Sequence, residues 1–160
     1  MSLVYGIEAG APVVTLTDDA IGTMLRHRQM KAKDPEAGGQ LFARFEEDGA
    51  ATIVEATGPK PKDKRSRCLF IPDRWLQRAE IKALHGEGKH FVGDWHTHPE
   101  AIPSPSAEDV ASMIDCFRKS RHELQAFIMI IVGTTEPPEG LFVCLVNENG
   151  INKLTNISTS

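Results

Sequence analysis

The chain has little cysteine, no long apolar run and no excess of basic charge, and each shortage removes a class of function. Its three cysteines, Cys68, Cys116 and Cys144, are an odd number with no C-x-x-C spacing. That disfavours a disulfide framework and a thiolate metal site alike. Each cysteine sits among apolar neighbours and reads as core packing, and no fitting base motif accompanies any of them to make a catalytic thiol. No apolar stretch approaches the ~20 residues that a membrane span needs, so no membrane partner is expected. The start, Met1-Ser2-Leu3-Val4-Tyr5, lacks the basic-then-apolar pattern of a signal peptide, and a cytoplasmic protein is the expectation. Eighteen basic residues against 22 acidic ones leave a formal charge of −4, which argues against a nucleic-acid partner. There is no G-x-S-x-G element for a serine hydrolase. His122-Glu123 lacks the following histidine that a helical H-E-x-x-H site requires. No repeat, low-complexity tract or linker is present. A chain of 160 residues suits one domain, expected over 1–160 with its core at about 12–154.

What is present reads as strands interleaved with helices. Pro12 to Thr17 makes a first strand, and Thr17-Asp18-Asp19 caps a helix reaching about Lys31. Gly39 to Phe45 and Ala51 to Ala56 form two strands around the turn Glu46-Glu47-Asp48-Gly49. Pro59 to Arg67 is polar and basic, hence a loop. Pro72-Asp73 opens a helix to about His85 with Trp75, Leu76, Ala79, Ile81 and Leu84 as its apolar residues, and Gly86 and Gly88 end it. A strand leads to Trp95, a helix covers 106–119, and Leu124 to Val132 is a central strand. Leu141 to Val146 and Ile151 to Leu154 follow as strands, and the tail through Ser160 should fray. Helices alternating with strands, joined by hairpins, imply a mixed sheet.

The chemistry concentrates in Asp94-Trp95-His96-Thr97-His98-Pro99, followed by Ser106 and Asp109. On a strand, residues two apart share a face, roughly 6.5–7 Å apart, so His96 and His98 can converge on one ion at ~2.0–2.1 Å while Trp95 and Thr97 face away. Pro99, Pro103 and Pro105 keep the next segment out of helix. Val110, Met113, Ile114 and Phe117 then recur at helical spacing. Ser106 and Asp109 share a face of that helix. If the loop folds back, Asp109 becomes a third ligand. Two histidines and a carboxylate leave a fourth tetrahedral position open, as catalytic rather than structural zinc does. Taken alone, Ser106-x-x-Asp109 is an ordinary helix cap, and a lone H-x-H is usually an accident. Five fixed identities together arise by chance with odds on the order of one in a million per starting position.

The stretch from Asp94 to Asp109 resembles the JAMM signature of JAB/MPN-domain metalloproteases, and the resemblance covers roughly residues 12–148. It implies an α+β (α/β) fold: one JAB/MPN-like domain with a curved mixed sheet and helices packed on both sides. It implies one Zn2+ per chain, with His96, His98 and Asp109 as ligands. It also implies a catalytic glutamate upstream, and Asp34-Pro35-Glu36-Ala37-Gly38-Gly39-Gln40-Leu41-Phe42 is similar to the element that carries it. Glu36 is then the general base, and Ser106 the hydroxyl that steadies the oxyanion. Without the resemblance, Glu36 would read as an exposed loop carboxylate. Gly38-Gly39 suits either close approach to substrate or a simple turn.

Arg67-Cys68-Leu69-Phe70-Ile71-Pro72-Asp73, the helix after it and Gly93 to Pro99 resemble a narrower bacterial branch. These are stand-alone JAB proteases of anti-phage CBASS operons and mobile elements, found beside E1/E2-like proteins and a cGAS-like nucleotidyltransferase. The implied role is to cut after the C-terminus of that nucleotidyltransferase, or of a ubiquitin-like protein, and so reverse its conjugation in anti-phage defence. The other readings are a JAB peptidase maturing a ubiquitin-like or sulfur-carrier protein, and a non-catalytic MPN scaffold. Lys60 to Arg67 is either a solvated loop or a docking surface for an acidic partner. His85, Glu87 and His90 offer a weaker second metal cluster, and Asp94 either orients a ligand imidazole or lies on the strand surface.

Overall fold

The computed structural model describes residues 2–7, 10–66 and 69–158. In chain order the elements are β1 (Leu3–Gly6), β2 (Pro12–Leu16), α1 (Asp18–Leu25), β3 (Gly38–Phe45), β4 (Ala51–Ala56), β5 (Lys64–Ser66), β6 (Leu69–Ile71), α2 (Arg74–His85), β7 (His90–Thr97), α3 (Ala107–Lys119), β8 (Phe127–Val132), β9 (Leu141–Asn147), β10 (Gly150–Lys153) and β11 (Thr155–Asn156).

β8 explains the layering. Its six residues, Phe-Ile-Met-Ile-Ile-Val, are all buried, as an unbroken apolar run rich in isoleucine predicts for a strand covered on both faces. Alternate residues point opposite ways. Ile128, Ile130 and Val132 join the larger core with Ala20, Ile21 and Met24 of α1. Phe127, Met129 and Ile131 join a second cluster with Met113 and Phe117 of α3. Helices therefore cover both sides of the sheet, as expected.

The main sheet has nine strands in the order β10-β9-β8-β7-β3-β4-β2-β1-β11, and β5 and β6 form a separate hairpin. β2 pairs parallel with β4 and β7 pairs parallel with β8; the other pairs are antiparallel, so the sheet is mixed. Its two edge strands are separated in sequence by Leu154 alone, and Leu154 is buried in the larger core. The sheet must therefore curl until its edges nearly meet. Among the described residues, no helix is long and apolar enough to cross a membrane.

Four expectations need correction. Leu3–Gly6 is a strand, and Leu3 and Tyr5 carry the core back beyond residue 12. The tail does not fray through its described part: Asn156 pairs with Tyr5, Ile157 N–H donates to Val4 O (2.7 Å) and Val4 N–H donates to Ser158 Oγ (2.7 Å). β1 supplies the edge that holds it. α1 ends at Leu25 rather than near Lys31, because the next segment turns to bury Gln29, whose Nε2 donates to Asp34 O (3.2 Å). The basic segment is not a plain loop. It contains β5, Lys60 pairs with Glu80 of α2 (2.9 Å), and Asp63 accepts the backbone N–H groups of Lys60 and Asp73. Arg67 and Cys68 lie outside the described residues.

Candidate active site

β7 alternates. Trp95 and Thr97 are buried toward the larger core, while Asp94 and His96 face the opposite way. Trp95 Nε1 donates to Thr57 O (2.8 Å). Thr97 Oγ1 donates to Gln29 Oε1 and accepts from Ala37 N (both 2.9 Å), and Thr97 N–H donates to Ala37 O (2.9 Å). These bonds hold the residue next to Glu36 against β7. Register continues the effect, because Gly38 of β3 lies opposite His96. Glu36 is thus delivered to the histidines by the strand pairing itself. Gly39 is not a turn but part of β3, and a Cβ there would lie 1.8 Å from Thr57 O. Its missing side chain makes room for the acceptor of the Trp95 indole.

The proline-rich segment does fold back. His98 N–H donates to Val132 O (3.0 Å), Thr134 N–H donates to Glu100 O (2.8 Å), and Pro103 is buried. Gly133 permits this, since a Cβ there would stand 2.4 Å from Glu100 O. The loop ends in the α3 cap. Ser106 N–H donates to Asp109 Oδ2 (2.8 Å) and Asp109 N–H donates to Ser106 Oγ (3.0 Å), a reciprocal capping box. The cap aims the carboxylate: Asp109 Oδ2 lies 3.3 Å from His96 Nε2 and 3.2 Å from His98 Nε2.

The five residues singled out in the sequence thus gather at one place. Ligand atoms of Glu36, His96 and His98 lie within 4.8 Å of one another, the only such cluster of three or more among the described residues. The imidazole rings are 4.9 Å apart. His96 Nε2 is buried, with the Asp109 carboxylate oxygen at 3.3 Å as its polar neighbour in poor hydrogen-bond geometry. Two imidazole nitrogens and a carboxylate oxygen converging within about 3.3 Å are the donor types that a divalent metal preferring nitrogen and oxygen takes, so the donor set fits such an ion. Ser106 stands at the rim: its Oγ accepts within the cap, which leaves the hydroxyl proton for another partner. His85, Glu87 and His90 form no such cluster; His85 and His90 meet edge-on as rings, 5.3 Å apart.

Charge follows the same geometry. Burial alone would raise the Asp109 carboxyl, but the imidazoles of His96 and His98 and the Ser106 N–H overcome it and hold the group well below the usual carboxylate range. His98 is pushed up to about 9, first by its hydrogen bond to Asp109 and then by Glu100. Burial raises the Glu36 carboxyl, opposed by both histidines and reinforced by Asp109; a raised carboxylate is a better proton acceptor. Burial also pushes Asp94 up to about 6, against the pull of Arg74, His96 and Lys60. Elsewhere burial pushes Cys144 up to about 12 and raises Cys116, in keeping with packing rather than nucleophilic roles.

Three supporting residues escaped the sequence reading. Glu100 Oε1 bonds His98 Nδ1 (2.8 Å), the orienting contact that a ligand imidazole usually makes; its signal was a carboxylate two positions beyond the histidine. Thr97 and Gln29 position the Glu36 segment. Thr97 was visible only as a polar residue on an inward face, and Gln29 gave no signal.

Comparison with known proteins agrees with this arrangement. The family model of prokaryotic homologs of the JAB domain matches residues 18–145. A "CD-NTase/cGAS isopeptidase" of Enterobacter hormaechei is 34% identical over 105 residues, 65% of this chain. The match spans 58% of that relative's own length. One of the same name from Pseudomonas aeruginosa is 33% identical over 133 residues, covering 80% of this chain and 79% of the relative. Among solved structures, protein DSY2949 of Desulfitobacterium hafniense aligns with a TM-score of 0.61 at 25% identity, over 88% of both chains. With a family match over most of its length, the chain belongs to the prokaryotic JAB-domain proteins.

Proposed function

We propose that this protein, one domain over 1–160, is a zinc-dependent isopeptidase. It cuts after the C-terminus of a conjugated protein, a cGAS-like nucleotidyltransferase, and so reverses ubiquitin-like conjugation in anti-phage defence. An E1/E2-like protein would make the bond that it breaks, and both would act in the cytoplasm. The observation that carries the reading is the convergence of the buried His96 Nε2 and of His98 Nε2 on Asp109 Oδ2, 3.3 and 3.2 Å away, with Glu36 beside the two histidines. The names of the relatives support the substrate class.

His96, His98 and Asp109 would hold the metal. When bound, zinc polarises the scissile carbonyl and brings the pKa of water down towards ~7. The chain's own residues do the rest. Glu36 takes a proton from the attacking water, its basicity raised by burial, and returns it to the departing amine. Ser106 donates its hydroxyl proton to the developing oxyanion, while its Oγ keeps the Asp109 N–H. Glu100 fixes the His98 ring.

The test is cleavage of C-terminal fusions and conjugates of such a nucleotidyltransferase and of a ubiquitin-like protein, with and without a chelator. Chelator-sensitive cleavage at one C-terminus is expected. Glu36→Gln should keep zinc and lose about 10²–10⁴ of the rate. Full activity in Glu36→Gln would remove it as the base. A zinc-free native protein would leave the chain a scaffold.

A further inference from the structure

A second cavity, about 820 Å³, lies along the cleft between α2 and α3 over β7 and the start of β8. It is contiguous with the 240 Å³ cavity of the candidate site, because Arg74, Gln77 and Asp94 line both. Its floor is apolar: Phe91 meets Phe127 edge-on at 5.4 Å, between Ile81 and Leu124.

Its charge runs against that of the molecule. Arg74, Arg78, Lys119 and Arg121 line the groove against Asp94 and Glu123, four cations to two carboxylates, on a chain whose formal charge is −4. Arg74 already donates to Gln77 Oε1 (3.2 Å), and Lys119 pairs with Asp115 (3.0 Å). Arg78 lies over the exposed Trp75 ring, 6.0 Å from its centroid. Neither Arg78 nor Arg121 makes an ion pair among the described residues. At the junction of the two cavities, Asp94 Oδ1 is buried and has no hydrogen-bond partner.

We propose that this groove holds an extended, acidic stretch of the substrate polypeptide to one side of the scissile bond. Substrate carboxylates meet Arg78 and Arg121, an apolar side chain rests on Phe91 and Phe127, and a backbone N–H donates to Asp94 Oδ1. The proposal rests on the peptidase reading, which requires a polypeptide to leave the metal site along the surface. Asp94 decides between classes of anion. A buried carboxylate repels a phosphate or a nucleic-acid backbone, whereas a peptide brings an N–H donor together with its carboxylates.

The experiment is fluorescence anisotropy with the zinc-loaded full chain and a labelled short peptide alternating glutamate and leucine. A lysine-leucine peptide is the control, with a single-stranded oligonucleotide as competitor. The acidic peptide should bind, weaken with salt, and lose about tenfold or more in affinity to the double variant Arg78→Glu, Arg121→Glu. Both arginines are exposed, and the thermal midpoint and zinc content should stay at the native values. Should the double variant unfold, Arg121→Glu alone, beyond the end of α3, carries the same prediction. No preference for the acidic peptide, undiminished binding by a folded variant, or displacement by the oligonucleotide at lower concentration would overturn the groove. Peptide binding without cleavage of any conjugate would sink the peptidase reading and keep the groove; cleavage without peptide preference would do the reverse.

Discussion

β7, which carries both histidines, has two unlike neighbours. Along one edge lies β8, parallel to it, with His96 opposite Ile131 and every β8 residue buried in one of two apolar clusters. Across its face lies α2, which buries Gln77 and Leu84 and is tied to its neighbours by polar contacts. With its amide set to satisfy both groups, Gln40 donates to Gln77 O (3.1 Å) and Glu80 Oε1 (2.9 Å), and Glu80 is held by Lys60. The larger apolar residues at the start of α2 turn outward, Trp75 to 75% exposure and Leu76 to 38%. Candidate metal-binding residues thus stand on apolar packing, which is dense and costly to disturb. The wall of the groove stands on hydrogen bonds, each worth about 1 kcal/mol net. The candidate metal site and the proposed groove wall thus rest on different kinds of contact.

The sharpest break falls on the β7 side. His96→Ala removes a nitrogen that no neighbour replaces; metal analysis should find zinc lost and conjugate cleavage abolished, with thermal stability of the metal-free form little changed. Retained zinc would exclude His96 as a ligand. Next comes the strand behind it. Ile130→Ala should cost about 2–5 kcal/mol in denaturant unfolding, the range for truncating a fully buried aliphatic side chain; a loss under ~1 kcal/mol would contradict the packing assigned to β8. The α2 side should yield less. Gln40→Ala removes both bonds to the helix and should cost about 1–3 kcal/mol, with hydrogen exchange accelerating over residues 74–85 before it does in β8. Uniform acceleration would mean that α2 is as firmly built in as the strands. Smallest of all, Trp75→Ala should shift stability by no more than about 0.5 kcal/mol, since its ring covers Arg78 rather than core. A larger loss would place the indole in an apolar contact.

Legibility in the sequence followed the same division. β8 and α3 were readable because burial is periodic: an unbroken apolar run for the strand, Met113 and Phe117 at helical spacing for the helix. His96, His98, Ser106 and Asp109 were readable because their spacing is local, and one strand end plus one helix cap gathers them. Glu36 was reached through family resemblance alone, because its place depends on the pairing of β3 with β7, fifty and more residues downstream. The polar docking of α2 was illegible. Gln40, Gln77 and Glu80 look like surface residues in any pattern of hydropathy, and of the apolar residues of α2 it is Leu84 that is buried, together with Gln77, while Trp75 and Leu76 are exposed. β1 and β11 were missed because each is too short to show a period, and among the described strands β11 has only its pairing with β1 to hold it.

The near-meeting of the sheet's two edges at Leu154 has a consequence for behaviour at high concentration. A nine-stranded sheet offers two rows of unpaired backbone groups, which in a flat sheet would template another chain and start aggregation. Here one row belongs to a strand of four residues and the other to a strand of two. The four-residue edge carries exposed Lys153, a charge that another strand would have to desolvate. Short edges and that charge therefore disfavour the addition of one molecule to another strand by strand.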